Sequence, residues 1–190
     1  MATAMPRALV SRMCPASAPG VSCSLSRIPT PASRSPLLGR PWARPADEPP
    51  VVVDVAGTKV GLMTCYDVRF PELARLLTDV GAEVLALPAA WVRGPAKERH
   101  WEVMITARAL ENTCWVAASG ECGPRNIGNS LIVDPLGTVR SRLATAQGLA
   151  FTEADPQVTV TARSTLPVLA NRRFAIDPTV RPLGTLSLGA

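Results

Sequence analysis

Between Val51 and Arg163 the hydrophobic positions fall into short runs separated by turn residues, with one longer stretch at helical spacing. VVVDV, a turn at Gly57 and then KVGLMTC predict an antiparallel strand pair. Val60 to Met63 is continuously apolar, the pattern of a buried strand. Pro71 and Glu72 predict the first turn of a helix, because Pro costs least there and an acid suits the helix's positive end. Leu73 to Val80 continues that helix, and Gly81 suits the position just past its end. EVLALP predicts a short buried strand, followed by a loop with Trp91, Gly94 and Pro95. Over Lys97 to Asn112, Trp101, Met104, Ile105 and Ala109 recur at helical spacing with charges elsewhere, which predicts a helix packed by one face. CWVAAS predicts another buried strand. Asn129 to Val133, Thr138 to Arg142 and Leu149 to Glu153 predict three more, the first two joined by the DPLG turn at Asp134 to Gly137. Pro156 to Arg163 is ambiguous, since QVTVT alternates as a strand does. Strands interleaved with helices place the chain in the α/β class.

Before Val51 the pattern is lost. Prolines at 6, 15, 19, 29, 31, 36, 41, 45, 49 and 50 forbid a useful helix and break strand pairing, so residues 1–48 are expected to form a disordered leader rich in Pro, Ser and Arg. Six of the chain's 20 Lys and Arg residues and none of its 15 acids precede Asp47. The basic pI therefore belongs to the leader and gives no case for nucleic acid as a partner, since Trp42 is the one aromatic residue among these arginines and a stacking surface would need several. Arg and Ser without acid is also the composition of an organelle transit peptide, although Pro6, Pro15 and Pro19 interrupt the amphipathic helix such a peptide needs. A GC-rich gene read out of frame yields the same bias. Residues 49–178 are expected to hold the folded domain, and 179–190 a tail without periodicity.

Cysteine and histidine usage narrows the chemistry. Cys14, Cys23, Cys65, Cys114 and Cys122 form an odd set with no C-x-x-C pair, which argues against a disulfide framework and a zinc site and for a reducing, cytoplasmic setting. A single histidine excludes a multi-histidine metal centre. No run approaches the length of a membrane helix. Cys65 is the candidate that remains, because it falls where a strand gives way to a helix. Such a turn lies at the carboxyl end of a strand, where α/β sheets bind ligands, and leaves backbone N–H groups free to face an oxyanion. The alternative is a cysteine filling a strand end as a small apolar residue.

Four blocks in order carry a resemblance: CYDVRFPE from Cys65, PAAW at Pro88 to Trp91, ARALEN at Ala107 to Asn112, and GNSLIVDPLG at Gly128 to Gly137. Together they resemble the carbon-nitrogen hydrolase (nitrilase) superfamily over about Pro45 to Pro178. The resemblance implies part of an αββα sandwich, with a short helix after Pro156 and a closing segment at LPVLANRR. It implies a Cys65 thiolate that attacks a small amide or nitrile carbon to form an acyl-thioester, with no cofactor. The N–H of Tyr66 would serve the oxyanion, and Trp91 and Asn129 would wall the substrate pocket. A homo-oligomer is implied for the complete domain, and CYDxRFPE favours a small carboxylated amide.

The resemblance also exposes a gap. A free thiol is mostly protonated at neutral pH and needs a base or fixed cation nearby. The family supplies a glutamate base and a lysine from segments upstream of the cysteine, and neither motif is recognisable here. Lys59 lies six positions before Cys65 on one strand, roughly 20 Å away at about 3.3 Å per residue. Lys97 suits a solvated helix end, Glu72 a helix N-terminus, and Glu111 a structural hydrogen bond. His100 offers a Cys–His pair as a different mechanism. The chain is accordingly expected to hydrolyse amides poorly as it stands, the competing expectation being a noncatalytic pseudoenzyme or interaction fragment. An inner sheet face and strand edges are expected to stay open.

Overall fold

The computed structural model describes residues 8–12 and 49–177. The rest of the leader and the tail from Pro178 lie outside the described residues. The elements are β1 (Ala8–Arg12), β2 (Val52–Val55), β3 (Thr58–Leu62), a 3-10 turn (Cys65–Arg69), α1 (Pro71–Asp79), β4 (Val84–Ala89), α2 (Lys97–Asn112), β5 (Trp115–Gly120), β6 (Leu131–Val133), β7 (Val139–Arg142), β8 (Leu149–Glu153) and α3 (Pro156–Thr165).

Six strands form one sheet in the order β2-β3-β4-β5-β6-β7. β3, β4 and β5 run parallel, joined through α1 and α2, and the flanking strands are antiparallel. The expected strand pair around Gly57 is present, with Val52 opposite Gly61. β1 pairs antiparallel with β8, Ala8 facing Glu153, so one strand falls within the segment expected to resist pairing.

The core lies between the sheet and the helices α1 and α2. Leu77 of α1, Trp101, Ile105 and Ala109 of α2, and Leu85, Leu87, Val116, Leu131 and Val133 of the sheet share one apolar cluster. Each such Leu or Ile taken fully out of water stabilises the fold by about 1.5–3 kcal/mol. Gly61 permits the close approach of α1, because a Cβ there would lie 3.1 Å from side-chain atoms of Leu77, Ala82 and Leu85.

The opposite face is covered only in part. Val84, Trp115 and Ile132 form a smaller cluster with Val158 of α3, while Leu62 on the same sheet is 44% exposed. The continuous run Val60 to Met63 predicts burial on both faces, yet the observed alternation is that of a strand covered from one side only. Edge strand β2 likewise exposes Val53 and Val55.

Two further expectations change at this level. Pro156 to Arg163 is helical despite its alternation, because Asp155 accepts a hydrogen bond from the Gln157 N–H at 2.8 Å and Pro156 occupies the first turn. The strand expected from Asn129 begins only at Leu131, since Gly128 and Asn129 both take positive φ, 67° and 51°. That bend lets the chain pass Gly120, where a Cβ would come within 1.8 Å of the Gly128 carbonyl oxygen.

Candidate active site

Cys65 opens the 3-10 turn directly beyond β3, before Pro71 starts α1. Its φ of +47° lies in the left-handed region, which is costly for a side chain of this size and is held only where neighbours enforce it. Asp67 does so from within the turn, its Oδ2 accepting the Thr64 N–H at 2.8 Å while its own N–H reaches the Thr64 carbonyl at 3.0 Å. Buried Val68 anchors the turn from beneath. Arg108 of α2 fixes its end, Nε donating to the Val68 carbonyl at 3.0 Å and Nη1 pairing with Glu111 at 2.6 Å. Arg75 bonds the Glu111 carbonyl. Glu111 is thus tied into structure, as its place in ARALEN leads one to expect.

The thiol is free and half-buried. Burial pushes its pKa up, hydrogen bonds from the Ala90 and Tyr66 backbone pull it down, the Asp67 charge adds to the rise and the Arg69 charge opposes it. Among the described residues, Asp67 and Arg69 are the charges that act on this thiol. Lys59 lies at the far end of β3, over Gly81.

Tyr66 follows Cys65 and is 43% exposed. Trp91, just beyond β4, is buried, packs 5.2 Å from the Trp101 ring and donates its indole N–H to the Lys97 carbonyl at 3.1 Å. Trp101 in turn donates to the Asn129 carbonyl at 2.8 Å. The four expected site residues fall into two pairs: Cys65 with Tyr66 in the turn, and Trp91 with Asn129, linked through Trp101.

Three features of this region escaped the sequence reading. Arg69 stacks on both Tyr66 and Trp91, its guanidinium carbon 5.1 Å and 4.8 Å from the ring centres. Lys97, expected at a solvated helix end, brings Nζ to 5.2 Å from the Trp91 ring. The Ala90 backbone faces the sulfur. Arg69 sat in the CYDVRFPE run and Ala90 in PAAW, but neither a ring stack nor a backbone donor has a periodicity to betray it. Exposed His100 lines a groove with Arg69, Arg99, Val103 and Met104. Among the described residues no group of three His, Cys, Asp or Glu could hold a metal ion, and no helix is long and apolar enough to cross a membrane.

Comparison with known proteins places this geometry. The carbon-nitrogen hydrolase family profile matches residues 23–164, starting upstream of the boundary expected at 49. This chain belongs to the carbon-nitrogen hydrolase family. Over 124 residues it is 53% identical to the deaminated glutathione amidase of Escherichia coli O157:H7, covering 65% of this chain and 47% of that protein. Among solved structures it is similar to Saccharomyces cerevisiae Nit3, a member of branch 10 of the nitrilase superfamily, with a TM-score of 0.63, 28% identity and coverage of 70% of this chain and 50% of that one. It is also similar to a mutant of the amidase from Nesterenkonia sp. AN1 showing covalent addition of the acetamide moiety of fluoroacetamide at the active site cysteine. That match has a TM-score of 0.58, 28% identity and coverage of 70% and 48%. The carbon-nitrogen hydrolase chain thus spans about half the length of these relatives.

Proposed function

We propose that Cys65 is the nucleophile of a carbon-nitrogen hydrolase acting on a small linear amide, with a nitrile the less favoured substrate. The observation that carries this reading is the strained Cys65 backbone at the carboxyl end of a parallel strand, with the Tyr66 N–H directly after it. The thiolate adds to the amide carbon, and the oxygen that gains charge takes a hydrogen bond from Tyr66. Collapse breaks the C–N bond, the nitrogen leaves as ammonia after gaining a proton, and water then hydrolyses the acyl-thioester to the carboxylic acid and the free thiol. Trp91 and Asn129 wall the pocket. An amide carrying a carboxylate fits the CYDVRFPE run, and the E. coli relative bears the name deaminated glutathione amidase.

This chain turns amides over slowly. Among the described residues, Asp67 and Arg69 are the charges acting on the thiol, and neither supplies a general base of the kind worth about 10² to 10⁴ in rate. The same observation favours a second reading, a noncatalytic fragment that complements a partner. A homo-oligomer of the complete domain and a cytoplasmic setting remain part of the proposal, the latter supported by the free thiols Cys65 and Cys114.

The test is ammonia release from glutaramate by the chain, by a fusion that adds the upstream half of the E. coli relative, and by the Cys65→Ala form of each. We expect background release from the chain and release that depends on Cys65 from the fusion. A fusion that folds and stays inactive would favour the noncatalytic reading.

A further inference from the structure

The two sides of the six-stranded sheet differ in charge. Ladder partners point to one side, so Gly61 and Leu85 face α1 while Val53, Val60 and Val84 face away from it. The helix side carries charged ladder positions, Asp54 opposite Lys59 and Arg142 opposite Leu131. On the other side the pairs from β2 to β5 hold Val, Leu, Ala, Pro, Trp, Thr and Ser, with no charged residue among them. α3 covers one part of that side, where Val158 meets Val84, Trp115 and Ile132. A strip along β2 and β3 stays bare, with Val53, Val55 and Leu62 exposed by 38%, 55% and 44%.

Antiparallel strands that face water on one side place polar residues there, whereas the bare side of β2 and β3 is apolar. A charge laid on it would lose its hydration without gaining a counter-ion, so the surface that covers it is itself uncharged. Exposed apolar side chains elsewhere stand next to charges in the chain, as Val80 follows Asp79 and Val103 follows Glu102. The same strip on a second copy meets the requirement. A patch that pairs with itself closes into a two-fold dimer and leaves no free end to grow from.

We propose that this strip is the interface between two copies of the chain, the uncharged side of one sheet packed face to face on that of the other. Sheets packed in this way lie about 10 Å apart, a gap that Val and Leu side chains from both copies fill. The strip spans two to three strands spaced about 4.8 Å apart and about five residues of some 3.3 Å each, so the pair buries well under the roughly 1,200–2,000 Å² of a standard interface. The dimer is therefore weak and reversible. It does not depend on Cys65 being a nucleophile.

The test is sedimentation equilibrium of the unsubstituted chain from about 5 to 500 μM, a range suited to an interface of this size. Methyl NMR with a soluble gadolinium chelate, which broadens exposed methyl groups, is recorded at both ends of that range. We expect the mass to rise from monomer toward dimer and stop there, and the Val53, Val55 and Leu62 methyls to become shielded as it rises. Val80, outside the strip, should stay accessible throughout. Salt should not weaken the dimer, since no ion pair holds it. Val53→Lys and Leu62→Lys, which set like charges against each other, should each raise the dissociation constant about tenfold or more, whereas Val80→Lys should leave it unchanged. A monomer at every concentration overturns the proposal. Methyls already shielded in that monomer would assign the strip to another segment of the same chain, and methyls exposed in it to a different partner. A dimer whose strip methyls stay accessible, or a mass that grows past the dimer, overturns it as well, and neither result requires a variant to fold.

Discussion

Arg108 on α2 donates its Nε to the carbonyl of Val68 at 3.0 Å, so a helix 40 residues on holds the turn that carries Cys65. The guanidinium is buried and also pairs with Glu111. Arg108→Met keeps the volume but leaves the Val68 carbonyl and Glu111 without their partner. The expected loss is about 1–3 kcal/mol, kept modest because Glu111 is partly exposed. Urea denaturation measures it, and an unchanged midpoint would show that the turn is held by other means.

The thiols should differ in both order and pH dependence. Cys65 is half-buried with its pKa moved up mainly by burial, so its alkylation should keep accelerating above pH 9.0, the ordinary value for such a group. Asp67→Asn removes the nearby negative charge that adds to the rise, and should shift this profile to lower pH. Cys114 should resist iodoacetamide throughout in the folded chain, because it is fully buried. Equal protection of Cys65 and Cys114 would rule out an exposed nucleophile.

Cys114 also ties stability to pH. Burial pushes its pKa up to about 12 from 9.0. The folded chain keeps this proton after the unfolded chain has lost it, so its contribution is complete below pH 9.0 and declines as pH rises toward 12. The loss at pH 10 is roughly 1 kcal/mol. Cys114→Ala should show a shallower fall in stability between pH 8 and 10 than the parent, whatever its absolute stability. Parallel slopes would contradict the assignment.

Gly120→Ala should destabilise the chain by about 2 kcal/mol or more, in the range of overpacking and beyond, because its Cβ would sit 1.8 Å from the Gly128 carbonyl oxygen. Both partners are backbone, so no side chain can swing away. A midpoint within error of the parent's would mean that this close approach relaxes freely.

What the sequence made legible follows from what has a pattern. The helix over Lys97 to Asn112 was readable because Trp101, Ile105 and Ala109 repeat at its period and are all buried. The Cys65 turn was readable because Pro71 marks where α1 begins. Val60 to Met63 misled in part, since an apolar run says nothing of which face finds a cover, and Leu62 remains open. QVTVT misled through its alternation, which a single capping residue, Asp155, overrides. The cationic stack of Arg69, Trp91 and Lys97 was unreadable, because residues from three elements meet there by tertiary packing alone.

The central claim is that Cys65 is an acyl-accepting thiol, and an activated ester tests it most directly because its leaving group needs no proton. The chain is treated with mono-p-nitrophenyl glutarate, and the acylated residue is identified by intact mass and peptide mapping. The account predicts a single glutaryl group on Cys65, absent in Cys65→Ala and formed faster there than at Cys122. Acylation spread over Cys122 and lysines, with Cys65 unmodified, would contradict it.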